Sequence, residues 1–239
     1  MNNVKNICVV TGNRADYDLL HPLLTRIIND DDINLHLVAT GSHMSSEFGL
    51  TYKQIEDDGF IIKHKVEILP SSDTAEGVIK SMGLGLIGFA EVFDKIDIDI
   101  LILLGDRFEI FVAATAATVA RIPIAHLSGG ETTEGAFDEA FRHSITKMSH
   151  LHFTTTEFYR NRVIQLGENP KRVFNVGAFV MDNINEMQLL SKDDLQKSMG
   201  FKFGKRNLLI TFHPTTLENS SLEEQFYNLL TALSNIEDT

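Results

Sequence analysis

Short apolar runs rich in Val and Ile alternate along the chain with longer segments whose apolar positions recur every three to four residues. Asn6–Thr11 reads as a strand that breaks at Gly12, and Leu19, Leu20, Leu23, Leu24, Ile27 and Ile28 then mark one face of an amphipathic helix. Ile33–Ala39 predicts a second strand and Phe60–Ile68 a third extended run. Asp73, Thr74 and Glu76 supply a helix start. The helix that follows, to about Ile96, carries Gly77, Gly83, Gly85 and Gly88, which lower its helicity and point to close packing against a neighbour. Asp99–Leu104 is almost unbroken apolar sequence, the pattern of a strand covered on both faces. Beyond it come an alanine-rich helix (Phe108–Ala120), a strand (Ile122–Leu127), a helix (Asp138–Ser149), a strand (Leu151–Thr155), a helix (Glu157–Leu166) and a strand (Arg172–Val176). This βα rhythm predicts a Rossmann-like, doubly wound parallel α/β sheet over residues 1–180.

The texture changes at residues 181–206, which are polar, carry Gly200 and Gly204, and read as a connection. Asn207–Phe212 then predicts a fresh strand and Ser221–Ile236 a helix, with Ser221 as N-cap and Glu223 and Glu224 in its first turn. A single strand–helix unit leaves its apolar faces uncovered. Residues 207–239 are therefore expected to begin a second Rossmann-like domain, and the chain to be the front part of a longer two-domain protein that is weak or inactive without the rest.

Composition narrows the classes. With 43% apolar residues in 239, a packed core is within reach, and disorder is excluded. Acidic residues outnumber basic ones 33 to 21, a net charge of −12, so a broad basic surface for nucleic acid is missing while a local anion pocket is not excluded. Cys8 is the one cysteine, so no disulfide framework exists. No run approaches the roughly 18 apolar residues of a membrane span or the pattern of a signal peptide, and the expectation is a cytoplasmic protein without membrane partners.

In open α/β sheets ligands bind beyond the carboxyl ends of the strands. The informative residues are thus Thr11–Asp16, Gly41-Ser42-His43, Gly105-Asp106-Arg107, Ser128-Gly129-Gly130-Glu131 and Phe212–Thr216. Gly12 with Arg14 at a helix start suits a phosphate cradle, and equally a tight turn with a solvated Arg. It matches neither the dinucleotide nor the ATP-loop pattern. Asp106 beside Arg107 reads as an acid/base group or as an ordinary ion pair or N-cap. Glu131 after two glycines suggests a ligand-facing carboxylate. Asp138 and Arg142, at i and i+4, read as site residues or as a surface pair. His126, His143, His150 and His152 lack metal-ligand spacing, so no metal is expected, and Ser128 and Ser144 lack the serine-hydrolase elbow. His213 before Pro214 sits at a strand end where a core histidine would be out of place.

Taken together, Thr11–Tyr17, Gly41–His43, Leu104–Glu109, His126–Glu131, Asp138–Lys147 and Phe212–Thr216, in that order, resemble the UDP-N-acetylglucosamine 2-epimerase family, and within it the hydrolysing branch of sialic-acid and related nonulosonic-acid biosynthesis. The resemblance implies the N-terminal half of a GT-B-type two-domain fold. It implies elimination of UDP to a 2-acetamidoglucal, then hydration to an N-acetylmannosamine-type sugar, from UDP-GlcNAc or a 2,4-diacetamido-6-deoxy relative. No cofactor is implied, and a dimer or tetramer is. Asp106, Glu131, Asp138 and His213 become the expected catalytic set. Arg14, Asp16, His43, Arg107, Ser128 and Arg142 become the expected substrate-binding set. One departure stands out: family members often carry an acid where this chain has Ser128. A GT-B glycosyltransferase, or a catalytically silent sugar-nucleotide-binding module, is the alternative.

Overall fold

A computed structural model describes residues 4–70, 74–186, 188–213 and 221–236. The chain divides into two compact units, residues 1–133 with 138–185, and residues 134–137 with 186–239.

The first unit is a doubly wound sheet, Rossmann-like in strand order. Seven parallel strands, β1 (Lys5–Thr11), β2 (Ile33–Thr40), β3 (Ile62–Val66), β4 (Ile100–Leu104), β5 (Ile124–Leu127), β6 (Leu151–Thr154) and β7 (Val173–Asn175), stand in the order β3-β2-β1-β4-β5-β6-β7. The order reverses between β1 and β4, and at such a switch point the loops diverge to opposite faces and leave a crevice. Helices α1 (Arg14–Ile28), α2 (Tyr52–Asp57), α3 (Ala75–Lys95), α4 (Phe108–Val119), α5 (Asp138–Met148) and α6 (Glu157–Gln165) supply the crossovers.

Alternation along the strands feeds two cores. Cys8, Val10, Val38, Leu101, Leu103 and Ile124 pack with Phe89, Val92 and Phe93 of α3 and the buried face of α4. Val9, Leu37, Ala39, Leu104 and Leu127 pack on the other face with Tyr17, Leu20, Leu24 and Ile27 of α1 and Ile55 of α2. Each aliphatic side chain removed from water contributes about 1.5–3 kcal/mol, and both faces of the sheet draw on it. Ala113, Ala114 and Ala117 are buried, so the alanine-rich helix serves the core on that side, while Val119 at its end is exposed. Close packing of α3 holds at Gly85 and Gly88, where an added Cβ would lie 2.9 Å from Val112 Cγ1 and 2.5 Å from Val66 Cγ1. It does not hold at Gly83, which faces open space. Thr74 caps α3, its hydroxyl accepting from Gly77 N at 3.1 Å. Asp73 lies outside the described residues.

Residues 181–206 are more ordered than a bare connection. The end of the first unit carries most of α7 (Val180–Glu186) and the second unit carries α8 (Lys192–Met199), which Gly200 closes in the left-handed conformation. The second unit also holds α9 (Leu222–Ser234). Ser221 stands at its N-cap position without a side-chain cap bond, and Glu223 and Glu224 lie in its first turn. The strand expected at Asn207–Phe212 is not formed. A strand exists by its ladder, and among the described residues of this unit there is no second strand to pair with.

Candidate active site

Parallel register carries the ends of β1, β2, β4 and β5 to one edge of the sheet. On the β1–β2 side the loop after β1 is fixed by Asn13, the N-cap of α1: its Oδ1 accepts from Asp16 N at 3.0 Å and its Nδ2 donates to Asp16 Oδ2 at 2.8 Å. The Asp16 carboxylate, burial pushing its pKa up to about 7, also accepts from Gly12 N at 3.4 Å. Beneath this loop lies Glu109, fully buried at the start of α4. Glycine is needed where the next turn crosses it. Gly41 sits at φ +57°, and a Cβ there would fall 2.6 Å from the Gly12 carbonyl oxygen and 2.7 Å from Glu109 Oε1. Arg107 Nε donates to Glu109 Oε2 at 3.3 Å and Arg107 Nη2 to Glu109 Oε1 at 3.1 Å, while the Arg107 side chain remains 44% exposed. Burial opposes the Arg107 charge, but Glu109, Asp16 and Asp138 outweigh it and raise its pKa. Arg107 and Arg14 line a cleft of about 490 Å³ whose other walls include Asn13, Ser42, Ser45 and Thr51 on the polar side and Phe48, Leu69 and Val78 on the apolar side.

On the β4–β5 side a second guanidinium organises the carboxylates. Arg142 Nη2 is in short contact with Asp106 Oδ2, Arg142 Nη1 donates to the Ser128 carbonyl at 2.8 Å, and the same nitrogen stands 3.6 Å from Glu131 Oε2. The Arg142 side chain is 8% exposed, against 15% for Asp106 and 28% for Glu131. Thr133 donates to Asp106 Oδ2 at 3.3 Å and Thr155 to Glu131 Oε1 at 2.8 Å. Asp138 opens α5, and burial, reinforced by the like charge of Asp106, raises its pKa above the ordinary carboxylate range. Arg107 and Arg142 both act on it in the opposite sense. A carboxyl group held toward neutrality beside others kept against guanidinium groups is an arrangement suited to moving protons.

Of the expected residues, Arg14, Asp16 and Arg107 meet on the β1–β2 side and Asp106, Glu131, Asp138 and Arg142 on the β4–β5 side, with Arg107 electrostatically linked to both. Three of the expected residues are buried. His43 is a core histidine: it is fully buried, Nε2 lies 2.9 Å from Thr11 Oγ1 and Nδ1 2.8 Å from Thr51 Oγ1, and burial pushes its pKa down to about 4. It bridges Thr11 and Thr51 beneath the loop. Ser128 contributes its backbone. It sits at φ +62°, a left-handed conformation costing a non-glycine residue about 1 kcal/mol or more, and its carbonyl receives Arg142. Arg142 is not a surface partner of Asp138: its guanidinium is buried against Asp106, Glu131 and the Ser128 carbonyl. His213 stands exposed in the second unit, and Pro214, Thr215 and Thr216 lie outside the described residues.

Sequence reasoning passed over Glu109, Thr133 and Thr155. Glu109 has a signal in retrospect: an acidic residue in the first turn of an otherwise apolar helix, two positions after an arginine. The two threonines reach carboxylates 27 and 24 residues away in the chain, which no local pattern announces. His126 is buried with Nε2 2.8 Å from the Gly105 carbonyl oxygen, and burial pushes its pKa to about 3. Among the described residues no group of three or more His, Cys, Asp or Glu side chains is placed to hold a metal ion, and no helix is long and apolar enough to cross a membrane.

Fold and crevice together define a Rossmann-like domain with cations on one side of its strand-end site and carboxylates on the other. The family model described as UDP-N-acetylglucosamine 2-epimerase matches residues 25–239. The chain belongs to that family. It is 43% identical over 234 residues to the GDP/UDP-N,N'-diacetylbacillosamine 2-epimerase (hydrolyzing) of Campylobacter jejuni, covering 98% of this chain and 61% of the relative. It is 41% identical to the polysialic acid biosynthesis protein P7 of Escherichia coli (99% and 60%), and 37% to the UDP-N,N'-diacetylbacillosamine 2-epimerase (hydrolyzing) of Legionella pneumophila (96% and 60%). The chain thus spans about 60% of the length of these curated relatives. Among solved structures, UDP-GlcNAc 2-epimerase from Neisseria meningitidis bound to UDP-GlcNAc superposes with a TM-score of 0.70 at 17% identity, covering 82% of this chain and 53% of that one, a likeness of fold.

Proposed function

We propose that the full-length protein is a hydrolysing 2-epimerase of UDP-linked 2-acetamido sugars, and that these residues supply its proton-transfer and leaving-group machinery. The observation that carries the reading is the Asp106–Arg142–Glu131 cluster with Asp138 beside it, facing the same edge as Arg14 and Arg107. A proton on C2 is weakly acidic and needs a positioned carboxylate base, and a departing diphosphate needs cations where charge develops. In the elimination the C2–H and C1–O bonds break, UDP leaves, and a C1–C2 double bond forms. In the hydration a proton returns to C2 on the other face and water oxygen bonds to C1.

Asp138, whose surroundings disfavour its charge, is the leading proton-transfer group, with Asp106 and Glu131 as its acid/base partners. Arg107 and Arg14 receive the diphosphate, and His213, which belongs to the second unit, keeps its expected catalytic role. The polar and apolar walls of the cleft suit a 2-acetamido sugar, and the names of the C. jejuni and L. pneumophila relatives favour the 2,4-diacetamido-6-deoxy form. Residues 1–180 as the N-terminal half of a GT-B-type enzyme, 181–206 as its connection and 207–239 as the start of its second half complete the reading. So do a cytoplasmic location, a role in nonulosonic-acid synthesis and a dimeric or tetrameric assembly.

The test is product identification by NMR. Full-length protein is incubated with UDP-GlcNAc and, separately, with UDP-N,N'-diacetylbacillosamine, without acceptor. Free UDP with a 2-epimerised reducing sugar supports the reading. Binding without turnover replaces it with a sugar-nucleotide-binding module, and UDP-sugar consumption only with an added acceptor replaces it with a glycosyltransferase.

A further inference from the structure

The proposed function puts Arg107 at the leaving group, yet a long, 44% exposed arginine on a loop would by itself sample many rotamers. What restrains it is Glu109. This carboxylate is fully buried and takes hydrogen bonds from Arg107 Nε at 3.3 Å and Nη2 at 3.1 Å. Such a fork fixes the plane of the guanidinium as well as its position. Arg107 Nη1, by contrast, makes no hydrogen bond among the described residues, and the residue lines the cleft. Glu109 is closely surrounded: a Cβ at Gly41 would fall 2.7 Å from its Oε1, so only glycine fits there, and one at Gly12 would stand in contact, 3.4 Å from its Cβ. A buried carboxylate with a partly exposed partner is a poor way to add stability, because its desolvation is offset by one cation that water also reaches. Its geometry suits aim better than stability.

We propose that Glu109 is a positioning residue for the reaction, holding the Arg107 guanidinium so that its free edge meets the leaving diphosphate. The inference rests on the reading of the protein as a UDP-sugar 2-epimerase. Asp16 stands behind the pair as a second carboxylate acting on Arg107, and Asp138 acts on it from α5. Glu109 touches no reacting atom and acts through Arg107 alone.

The test is a double-mutant cycle in the full-length protein, read as kcat and KM for UDP release. Glu109→Gln is expected to lower kcat about 10–100-fold with KM changed less than about threefold, since aim is lost while the cation remains. Arg107→Ala is expected to lower kcat about 100–1,000-fold. In the Arg107→Ala background, Glu109→Gln should cost less than about threefold more, because its effect has no remaining route. Equal losses from Glu109→Gln with and without Arg107, or an unaltered kcat, overturn the proposal. A second readout is independent of substrate and of the Glu109→Gln variant. In wild-type protein the Arg107 Nε–H, assigned by its absence in Arg107→Lys, should give a slowly exchanging NMR signal at pH 7. A rapidly exchanging Arg107 Nε–H overturns the proposal even if UDP release is normal. A protected signal in a protein that releases no UDP from any 2-acetamido sugar overturns the proposed function instead, and with it the role of this pair in that reaction.

Discussion

The two sides of the crevice use the same ingredients in opposite orientations. On each, one guanidinium serves two carboxylates. Beside β1 and β2 the carboxylate of Glu109 lies beneath, half-buried Asp16 acts on the same charge, and the arginine is the exposed partner. Beside β4 and β5 the arginine, Arg142, lies beneath and Asp106 and Glu131 are the more exposed partners. The inversion decides what each side offers a ligand. On the proposed function, one presents a held cation to an anion, and the other presents held carboxylates to a carbon-bound proton. A site that must stabilise a departing diphosphate and exchange a proton one carbon away needs both polarities within one sugar's width, and burying the opposite partner on each side keeps them from collapsing onto each other.

The comparison breaks most completely at Arg142. Arg142→Ala leaves Asp106 and Glu131 without their cation, so both the exposed carboxylates and their support fail. Turnover of the full-length protein is expected to fall about 1,000-fold, and stability by about 3 kcal/mol, the scale of breaking a largely buried pair. Activity and a urea titration check the two effects. Near-wild-type values in both would mean that Arg142 organises nothing. Asp138→Asn sharpens the proton-transfer side alone: turnover should fall about 100-fold or more, with the urea midpoint close to wild type. A kcat within threefold of wild type would remove Asp138 from the mechanism. On the cationic side the smaller effect belongs to Arg14, which is exposed and only loosely paired with Asp18 at 3.8 Å. Arg14→Ala should raise KM for the UDP-sugar about 10-fold and leave kcat nearly unchanged. Unaltered affinity by calorimetry would make Arg14 a turn residue.

What was legible in the sequence follows from this architecture. The sheet was readable because parallel strands buried on both faces are continuous apolar runs, and Leu101 to Leu104 could hardly be anything else. The strand-end rule then delivered Asp106 and Glu131 to one edge, while Asp138, on a helix, came with the family resemblance. It could not say which members of that edge face outward. His43 and Ser128 share the strand-end loops and Arg142 the helix of Asp138, yet all three are buried, since the fate of a side chain there depends on contacts such as Thr51 to His43 that form only on folding. Glu109 was hidden for the opposite reason: it sits on a helix, two residues past the loop, where an acid in the first turn reads as dipole complement. The expected strand at Asn207–Phe212 failed because a β-pattern specifies a surface and only a partner strand makes it a ladder.

Asp16 provides the finest division between the two sides, because it tests the cost of burying carboxylates under Arg107. Its pKa in the folded protein is about 7, raised from 3.8, with burial the largest cause. A carboxyl group whose pKa is raised on folding is favoured in the folded state only when protonated. Its penalty is absent below about pH 4, where both states hold the proton. It grows as pH rises from there and is complete above pH 7. Asp16→Asn keeps an oxygen able to accept from Asn13 Nδ2 and removes the charge. The variant should therefore melt at the same temperature as wild type near pH 4, and higher at pH 8 by a few degrees, corresponding to about 1–2 kcal/mol after allowing for partial solvent access. Melts across that range give the slope directly. A gain at pH 4 equal to that at pH 8 would show the effect to be shape and not charge. A loss at pH 8 would show that the anionic form of Asp16 contributes to holding Arg107, placing both carboxylates, and not Glu109 alone, in the support of the cationic side.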